Sequence, residues 1–462
     1  MRYDNIIIGA GLSGLAAGIR LARYGGKTLI LERHDRAGGL NSYYHAGGHY
    51  MDVGLHAMTN YNPHGPSSAP LLKLARQLKA RLADFGLVPQ GHSKIVFPGA
   101  SLSFTNEFAH FQDEVAKAFP AQKDNFAKLA RLAGEYDELN LNAKHASGRE
   151  TVSSIITDPL LAEMIMCPLL FYGGSREGDM DLGQLVVMFK SLFFEGFARP
   201  LGGMKTVLGL LLDIYAKEGG EIRLETGVKQ IVAGDGGVSS VVTDMGEIIE
   251  CARVFSSAGL WETVALCPQA RPEGVQSGPG RLSFMEAVYV LDRPARELGE
   301  DSSIIFFNNT PAFIYKKPDE PLDLRSGVIC FPGNFGDNGV EGPPMARLTS
   351  IADYAYWIGI EDPREYLRSK IEWSAKALKA IGAVTPDFSR NVVFRDVFTP
   401  KTIKRYTGHI NGAVYGAPDK LKRGETPVAG LYIIGTDQGF LGIVGAMLSG
   451  ITVANLRLAG KD

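Results

Sequence analysis

The chain has 462 residues and a mass of 49.9 kDa, beyond the ~250–300 residues over which one hydrophobic core keeps growing, so at least two modules are expected. Hydrophobic residues at 45% and charged residues at 21% exclude a disordered chain. Lys and Arg number 48 against 50 Asp and Glu, a net charge of -2 that excludes the basic footprint of a nucleic-acid binder.

Residues 5–8 read as a short buried parallel strand, and Gly9-Ala10-Gly11-Leu12-Ser13-Gly14 leads from it into an Ala- and Leu-rich helix over 15–24. Residues 27–31 form a second strand ending at Glu32, which completes a βαβ unit. Residues 41–45 and 49–52 predict a hairpin turning at Ala46-Gly47-Gly48. From about 71 to 145, helical patterns mix with polar turns, as in a helical cap. The apolar stretch 185–197 sets Phe189, Phe193, Phe194 and Phe197 along one helical flank. A buried cap helix is the favoured reading there, with a membrane-docking face or a substrate-tunnel wall as the alternative.

Alternating units return beyond Leu201. They are a helix over 203–218, strands over 221–224, 228–231, 239–243 and 247–250, and a buried strand over 253–259 that leads into its glycine. Strands over 283–291, 303–307 and 327–331 read as a second sheet carrying an amphipathic helix over 363–381. A last strand covers 430–435 and a last helix 441–458. The uncharged stretch 438–456 has the length of a bilayer span, yet Gly439, Gly442, Gly445 and Gly450 within it favour a packed helix. The expected organisation is α/β: a Rossmann-type cofactor domain in three pieces (1–75, 201–275, 401–462), with a mixed-sheet and helical-cap substrate domain inserted twice (76–200, 276–400).

Each part of the first turn has a physical job. Gly9 permits the tight turn, Gly11 lets backbone reach a pyrophosphate, and Gly14 lets helix and strand pack closely. The helix N-terminus offers N–H groups and a partial positive charge to the diphosphate. Glu32 can accept from both ribose hydroxyls and would repel a 2′-phosphate, which disfavours an NADP-type cofactor. Four scattered cysteines (Cys167, Cys251, Cys267, Cys330) make no C-x-x-C pair, against a disulfide framework or zinc site and for a reducing, cytoplasmic compartment. His45 and His49 flank a glycine turn rather than share a helix face, so no metal is expected. The N-terminus passes almost at once into a strand, so no signal peptide is expected.

A second glycine pair, Arg36-Ala37-Gly38-Gly39, and then Asp52-Val53-Gly54-Leu55-His56 follow the βαβ unit. With these, the chain resembles the FAD-binding domain of the flavin amine oxidase and phytoene desaturase superfamily. The resemblance extends through Arg199-Pro200-Leu201-Gly202-Gly203-Met204, Gly227-Val228, Ala258-Gly259, Thr399-Pro400 and Gly412-Ala413-Val414-Tyr415-Gly416 to Gly435-Thr436-Asp437 and Gly442-Ile443-Val444-Gly445-Ala446. It implies FAD held by Gly9–Gly14, Glu32, Arg33, Gly38, Gly39, Leu40, Gly54, Leu55, His56, Val228, Ala258, Gly259, Gly435, Asp437, Gly442, Ile443, Val444 and Ala446. Leu40, where amine oxidases carry arginine, and the lack of their Glu-Gly-Ala helix start resemble carotenoid isomerases and retinol saturases more. Phe171-Tyr172-Gly173-Gly174-Ser175-Arg176 departs from the family's Gly-x-x-Pro.

The flavin would carry the redox chemistry, so few catalytic side chains are expected. His56 is the leading candidate for acid–base work or substrate contact, with a structural hydrogen bond as the competing role. Tyr172, Arg176 and Tyr415 follow, each also readable as a cavity wall. The expected function is FAD-dependent oxidoreduction or isomerisation at carbon–carbon bonds of an apolar polyene or isoprenoid, with peripheral membrane contact as a corollary. A flavin amine oxidase is the alternative, and a flavoprotein that binds partners without turnover is a third reading.

Overall fold

The computed structural model describes residues 2–137, 145–336 and 339–459. Two seven-stranded sheets organise it. In the first, Arg2–Ile8 lies between Thr28–Leu31 and Ile248–Ser256, all parallel, with Glu221–Arg223 on the outer edge. This is the arrangement that the apolar run Ile6-Ile7-Ile8 ending in glycine calls for, all three buried. Helix Leu12–Arg23 covers the sheet together with Met204–Lys217 and Gly442–Leu458. A Cβ on Gly450 would stand 2.1 Å from the Ser13 carbonyl oxygen, so only glycine lets the last helix pack this close to the first.

One strand differs from the sequence reading. The expected strands 247–250 and 253–259 are a single nine-residue strand, Ile248–Ser256, which ends before Ala258-Gly259. Its first half pairs antiparallel with Gly237–Thr243, and its second half pairs parallel with Leu431–Ile433. Nothing between Glu250 and Arg253 breaks a strand, and the change of partner needs no break.

The second sheet runs Val392–Phe398, Ser283–Leu291, Met345–Ala352, Ser326–Cys330, Ile304–Asn308, Ser93–Phe97, Ala100–Phe104. The last two strands correct the all-helical cap expected over 71–145, of which 138–144 lie outside the described residues. Ser93, Ile95 and Phe97 alternate inward, and Pro98-Gly99 turns the hairpin. The two faces of this sheet have different neighbours. Met285, Ala287, Tyr289, Ile305, Ile329 and Leu348 pack under helix Pro363–Ala380. Phe284, Phe306, Val328, Cys330 and Ile351 face the cap helices instead.

The 185–197 stretch belongs to that second cluster. Helix Leu182–Phe189 continues through a π-helical turn, Lys190–Phe194, and Leu185, Phe189, Phe193 and Phe197 are each 0% exposed. Phe193 stacks on Phe111 with ring centroids 4.5 Å apart. Most of the segment is core, with Val187 and Phe194 half-buried, so its apolar side chains are spent chiefly on packing. No helix among the described residues is long and apolar enough to cross a membrane.

Candidate active site

The dinucleotide end is built from backbone. Gly11 caps helix Leu12–Arg23 with φ -67° and ψ 175°, no side chain caps that helix, and no acidic residue lies in its first turn. Its leading N–H groups and positive end are therefore left for an anion. A Cβ built on Gly11 meets nothing within 4 Å, whereas one on Gly14 falls 2.0 Å from the Gly9 carbonyl oxygen. Gly11 borders open space and Gly14 a packed contact, as a pyrophosphate cradle requires.

Glu32 Oε2 accepts from the Ala10 N–H at 2.7 Å and Oε1 from the His34 N–H at 3.0 Å. Each oxygen keeps a lone pair for a ribose hydroxyl. The Gly38 N–H donates to the Ala10 carbonyl at 2.9 Å, which lays the Gly38-Gly39-Leu40 segment beside the turn. The Thr226 N–H donates to the Glu32 carbonyl at 2.8 Å, bringing Val228 to the adenosine end. Arg33 turns away there, its Nη2 donating to the Arg405 carbonyl at 2.9 Å.

At the far end, helix Gly442–Leu458 likewise starts without a side-chain cap or an acid in its first turn. Ile443 and Val444 are buried in the cofactor-domain core, and Ala446 packs partly against it. The Gly435 N–H is held by Ser449 Oγ at 2.9 Å. Asp437 ties backbone segments together: Oδ2 accepts from the Leu260 N–H at 2.6 Å, just after Ala258-Gly259, and Oδ1 from the Ala417 N–H at 2.7 Å.

Between the sheets lies a buried charged cluster. Asp52 and Arg199 pair at 2.8 Å, with 4% and 3% of their side-chain surfaces exposed. Asp52 Oδ1 also accepts from the Met204 N–H at 2.8 Å, and a Cβ on Gly203 would sit 2.7 Å from that oxygen. This explains physically why Asp-x-Gly and Pro-x-Gly-Gly-Met occur together. Arg199 Nη1 donates to the carbonyls of Leu55 and His56 at 2.6 and 2.8 Å, and Cys330 Sγ approaches the His56 carbonyl at 3.4 Å. A cavity of about 220 Å³ reaches Asp52 and Arg199 from the side of Tyr50 and Pro332.

His56 itself meets the second sheet. Its Nε2 stands 3.1 Å from Thr349 Oγ1 and 4.0 Å from Glu286 Oε2. Glu286 is gripped by the fully buried Arg347, whose Nε donates to Oε1 at 2.6 Å and whose Nη2 donates to the same oxygen. Burial opposes ionisation of Glu286, but Arg347, His56 and Arg199 outweigh it and hold its carboxyl below the ordinary range. Tyr172 stands nearby on helix Pro159–Gly173, its ring 5.2 Å from Phe197 and 5.5 Å from Phe306. Tyr415 donates to the Phe171 carbonyl and stacks edge-on against Phe284 at 5.9 Å. Arg176 pairs with Asp419 at 2.6 Å, away from this cluster.

The model of the flavin containing amine oxidoreductase family matches residues 12–456. The chain belongs to that family. It is 21% identical to the all-trans-retinol 13,14-reductase of Danio rerio, over 98% of this chain and 86% of that one. It is 22% identical to the chloroplastic prolycopene isomerase of Arabidopsis thaliana, over 98% and 82%. An oxidoreductase from Methanosarcina mazei has the same fold, with a TM-score of 0.67 at 18% identity, over 98% of this chain and all of that one. The uncapped helix starts, the open space at Gly11 and the Glu32 carboxylate beside the turn fit the family's flavin as FAD, which is the cofactor of this chain.

In this flavin oxidoreductase, Glu286, Arg347, Thr349 and Cys330 are the site residues that sequence reasoning missed. A signal exists for the first two: each is a lone charge inside an apolar strand, at the alternation that faces the cap. His56 carries a pH consequence. Burial pushes its imidazole down to about 4, with Arg347 and Arg199 adding to the effect and Glu286 opposing it. The folded state thus binds a proton less readily than the unfolded chain, whose histidine titrates near 6.5. Stability from this group is present above pH ~6.5 and is lost as pH falls toward ~4, by up to about 3 kcal/mol. Melting temperatures of wild type and His56→Asn across that window are expected to converge as pH falls. Parallel pH profiles would remove His56 as their cause.

Proposed function

We propose that the chain uses FAD to carry out oxidoreduction or isomerisation at a carbon–carbon bond of an apolar polyene or isoprenoid. The observation that carries the reading is the character of the site face. Phe171, Phe197, Phe284, Phe306 and Val328 build the apolar cluster on this side of the second sheet, and the two buried carboxylates, Glu286 and Asp52, are each already paired with an arginine. An ammonium substrate would need a carboxylate to spare, and this face offers none among the described residues. Relatives named for retinol and prolycopene support the same substrate class.

When bound, FAD supplies the two-electron chemistry. The protein's part is to exclude water with the aromatic cap, to orient the chain of the substrate, and to hold His56 neutral. A neutral imidazole whose Nε2 meets Thr349 can accept a proton or share one, and at neutral pH it is no acid.

The test is anaerobic mixing of the reduced and oxidised holoenzyme with all-trans polyenes and, separately, with alkyl diamines, following the visible flavin bands and the products. Polyenes are expected to change the bands or emerge altered, and diamines to do neither. His56→Ala should keep its flavin bands while turnover falls roughly 10²–10⁴-fold. Reduction by diamines with polyenes inert would overturn the proposal in favour of an amine oxidase. Full turnover by His56→Ala would take that residue out of the chemistry.

A further inference from the structure

Three buried side-chain donors near the site have no acceptor among the described residues: Tyr172 Oη, Arg199 Nε and Arg347 Nη1. They come from helix Pro159–Gly173, strand Ala198–Pro200 and strand Met345–Ala352, none of which belongs to the cofactor-domain sheet. Cys330 is their common neighbour. It sits directly opposite Arg347 in the strand register, and it shares the His56 carbonyl with Arg199. Both guanidinium groups act on its thiol, and the Tyr172 phenol feels both Cys330 and Arg199. Buried polar groups are almost always hydrogen-bonded, so three orphans around one residue call for a specific explanation.

The charge balance says what kind of acceptor fits. Arg347 is matched by Glu286 and Arg199 by Asp52, and His56 is neutral near pH 7. A carboxylate brought here would leave an uncompensated buried negative charge, which is costly. A hydrocarbon would leave all three donors unmade. A neutral oxygen answers the donors without disturbing the balance.

We propose that Tyr172, Arg199 and Arg347 form a subsite for a neutral oxygen of the substrate, so that the polyene taken up is an alcohol, aldehyde or ketone rather than a hydrocarbon or an acid. This rests on the polyene reading above and narrows it. The aromatic wall of Phe197 and Phe306 beside Tyr172 then holds the first carbons of the chain. Because the donors stand on the cap and second-sheet side, the oxygen arrives with the substrate and is not a carbonyl of the flavin.

The experiment titrates FAD-loaded protein with three C20 probes, following quenching of tryptophan fluorescence. The probes are all-trans-retinol, all-trans-retinoic acid and the hydrocarbon in which methyl replaces the hydroxymethyl group. Retinol is expected to bind at least ~10-fold more tightly than either of the others. Tyr172→Phe, which removes one oxygen from a side chain that needs no partner to fold, should shrink that preference several-fold. It should leave hydrocarbon affinity and the flavin bands unmoved. A hydrocarbon that binds as tightly as retinol overturns the subsite and leaves the polyene reading standing. A Tyr172→Phe protein with shifted flavin bands and an intact retinol preference assigns the donors to the flavin, and overturns it too. If none of the three binds, the subsite and the polyene reading fall together.

Discussion

Gly11→Val is expected to fold and to lose FAD. The backbone at Gly11 has φ -67° and ψ 175°, a conformation open to any residue, and a Cβ there touches nothing within 4 Å. The protein by itself therefore accommodates the isopropyl group. The loss of a favoured N-cap residue costs about 1 kcal/mol. The same group occupies the space against the helix N-terminus where the pyrophosphate would lie, and FAD affinity should fall at least ~10³-fold, or about 4 kcal/mol. Circular dichroism and a thermal melt should match the wild-type apoprotein while the purified variant is colourless and takes up no FAD on titration. Gly14→Ala is the contrasting case. Its Cβ would collide with the Gly9 carbonyl at 2.0 Å, so that variant should be impaired in folding itself. A yellow Gly11→Val with wild-type affinity would show that this turn does not carry the diphosphate.

Arg347→Met should be the most destabilising conservative change at the site. Arg347 is 0% exposed, and its removal leaves the Glu286 carboxylate buried without its principal partner. Breaking one side of a buried pair costs about 3–5 kcal/mol, whereas replacing both sides with apolar groups is often neutral. Arg347→Met/Glu286→Leu should accordingly regain most of what the single variant loses in denaturant titrations. The single variant also has a pH signature. Without Arg347, which pushes His56 down, and with Glu286 still 4.0 Å away, the imidazole should take up a proton nearer neutrality. Its stability should then recover relative to wild type as pH falls from 7 toward 5, and NMR should place the His56 titration well above 4. An Arg347→Met protein as stable as wild type at pH 7 would mean that the pair is solvated after all.

Much of the cofactor end is legible in the sequence because its determinants are local. Ile6-Ile7-Ile8 ending in glycine, helix Leu12–Arg23 behind it, and Glu32 at the end of the next strand each follow from periodicity and turn chemistry within 30 or so residues. The hairpin Tyr43–Ala46/His49–Asp52 is legible for the same reason. The strands of the second sheet that run mostly apolar, Ser283–Leu291 and Ile304–Asn308, stand out as well.

The remainder depends on contacts remote in sequence. Ser93–Phe97 is only five residues long, lies in a helical neighbourhood, and finds its parallel partner more than 200 positions away at Ile305–Phe307. The Asp52–Arg199 and Glu286–Arg347–His56 clusters join residues 147, 61 and 230 positions apart (Asp52 to Arg199, Glu286 to Arg347, His56 to Glu286), and no local pattern announces such pairs. His56 is singled out by its place after Asp-x-Gly. Its neutrality is set by burial, with Arg347 and Arg199 adding to it, and only the fold supplies these.

The close seating of the last helix on the first has a consequence for how the chain matures on the ribosome. Arg20 Nε donates to Asn455 Oδ1 at 3.0 Å across 435 positions, and Gly450 rests against Ser13. Strand Leu431–Ile433 completes the first sheet beside residues 254–256. The βαβ unit therefore waits for a segment more than 400 positions further along the chain before its helix is covered and its cradle closed. Long-range closure of this kind is slow, and until it happens the apolar flank of helix Leu12–Arg23 stays open to water and to other chains. The cap and second sheet, encoded between the two, thus have their chain complete while the cofactor domain still lacks its last strand and helix.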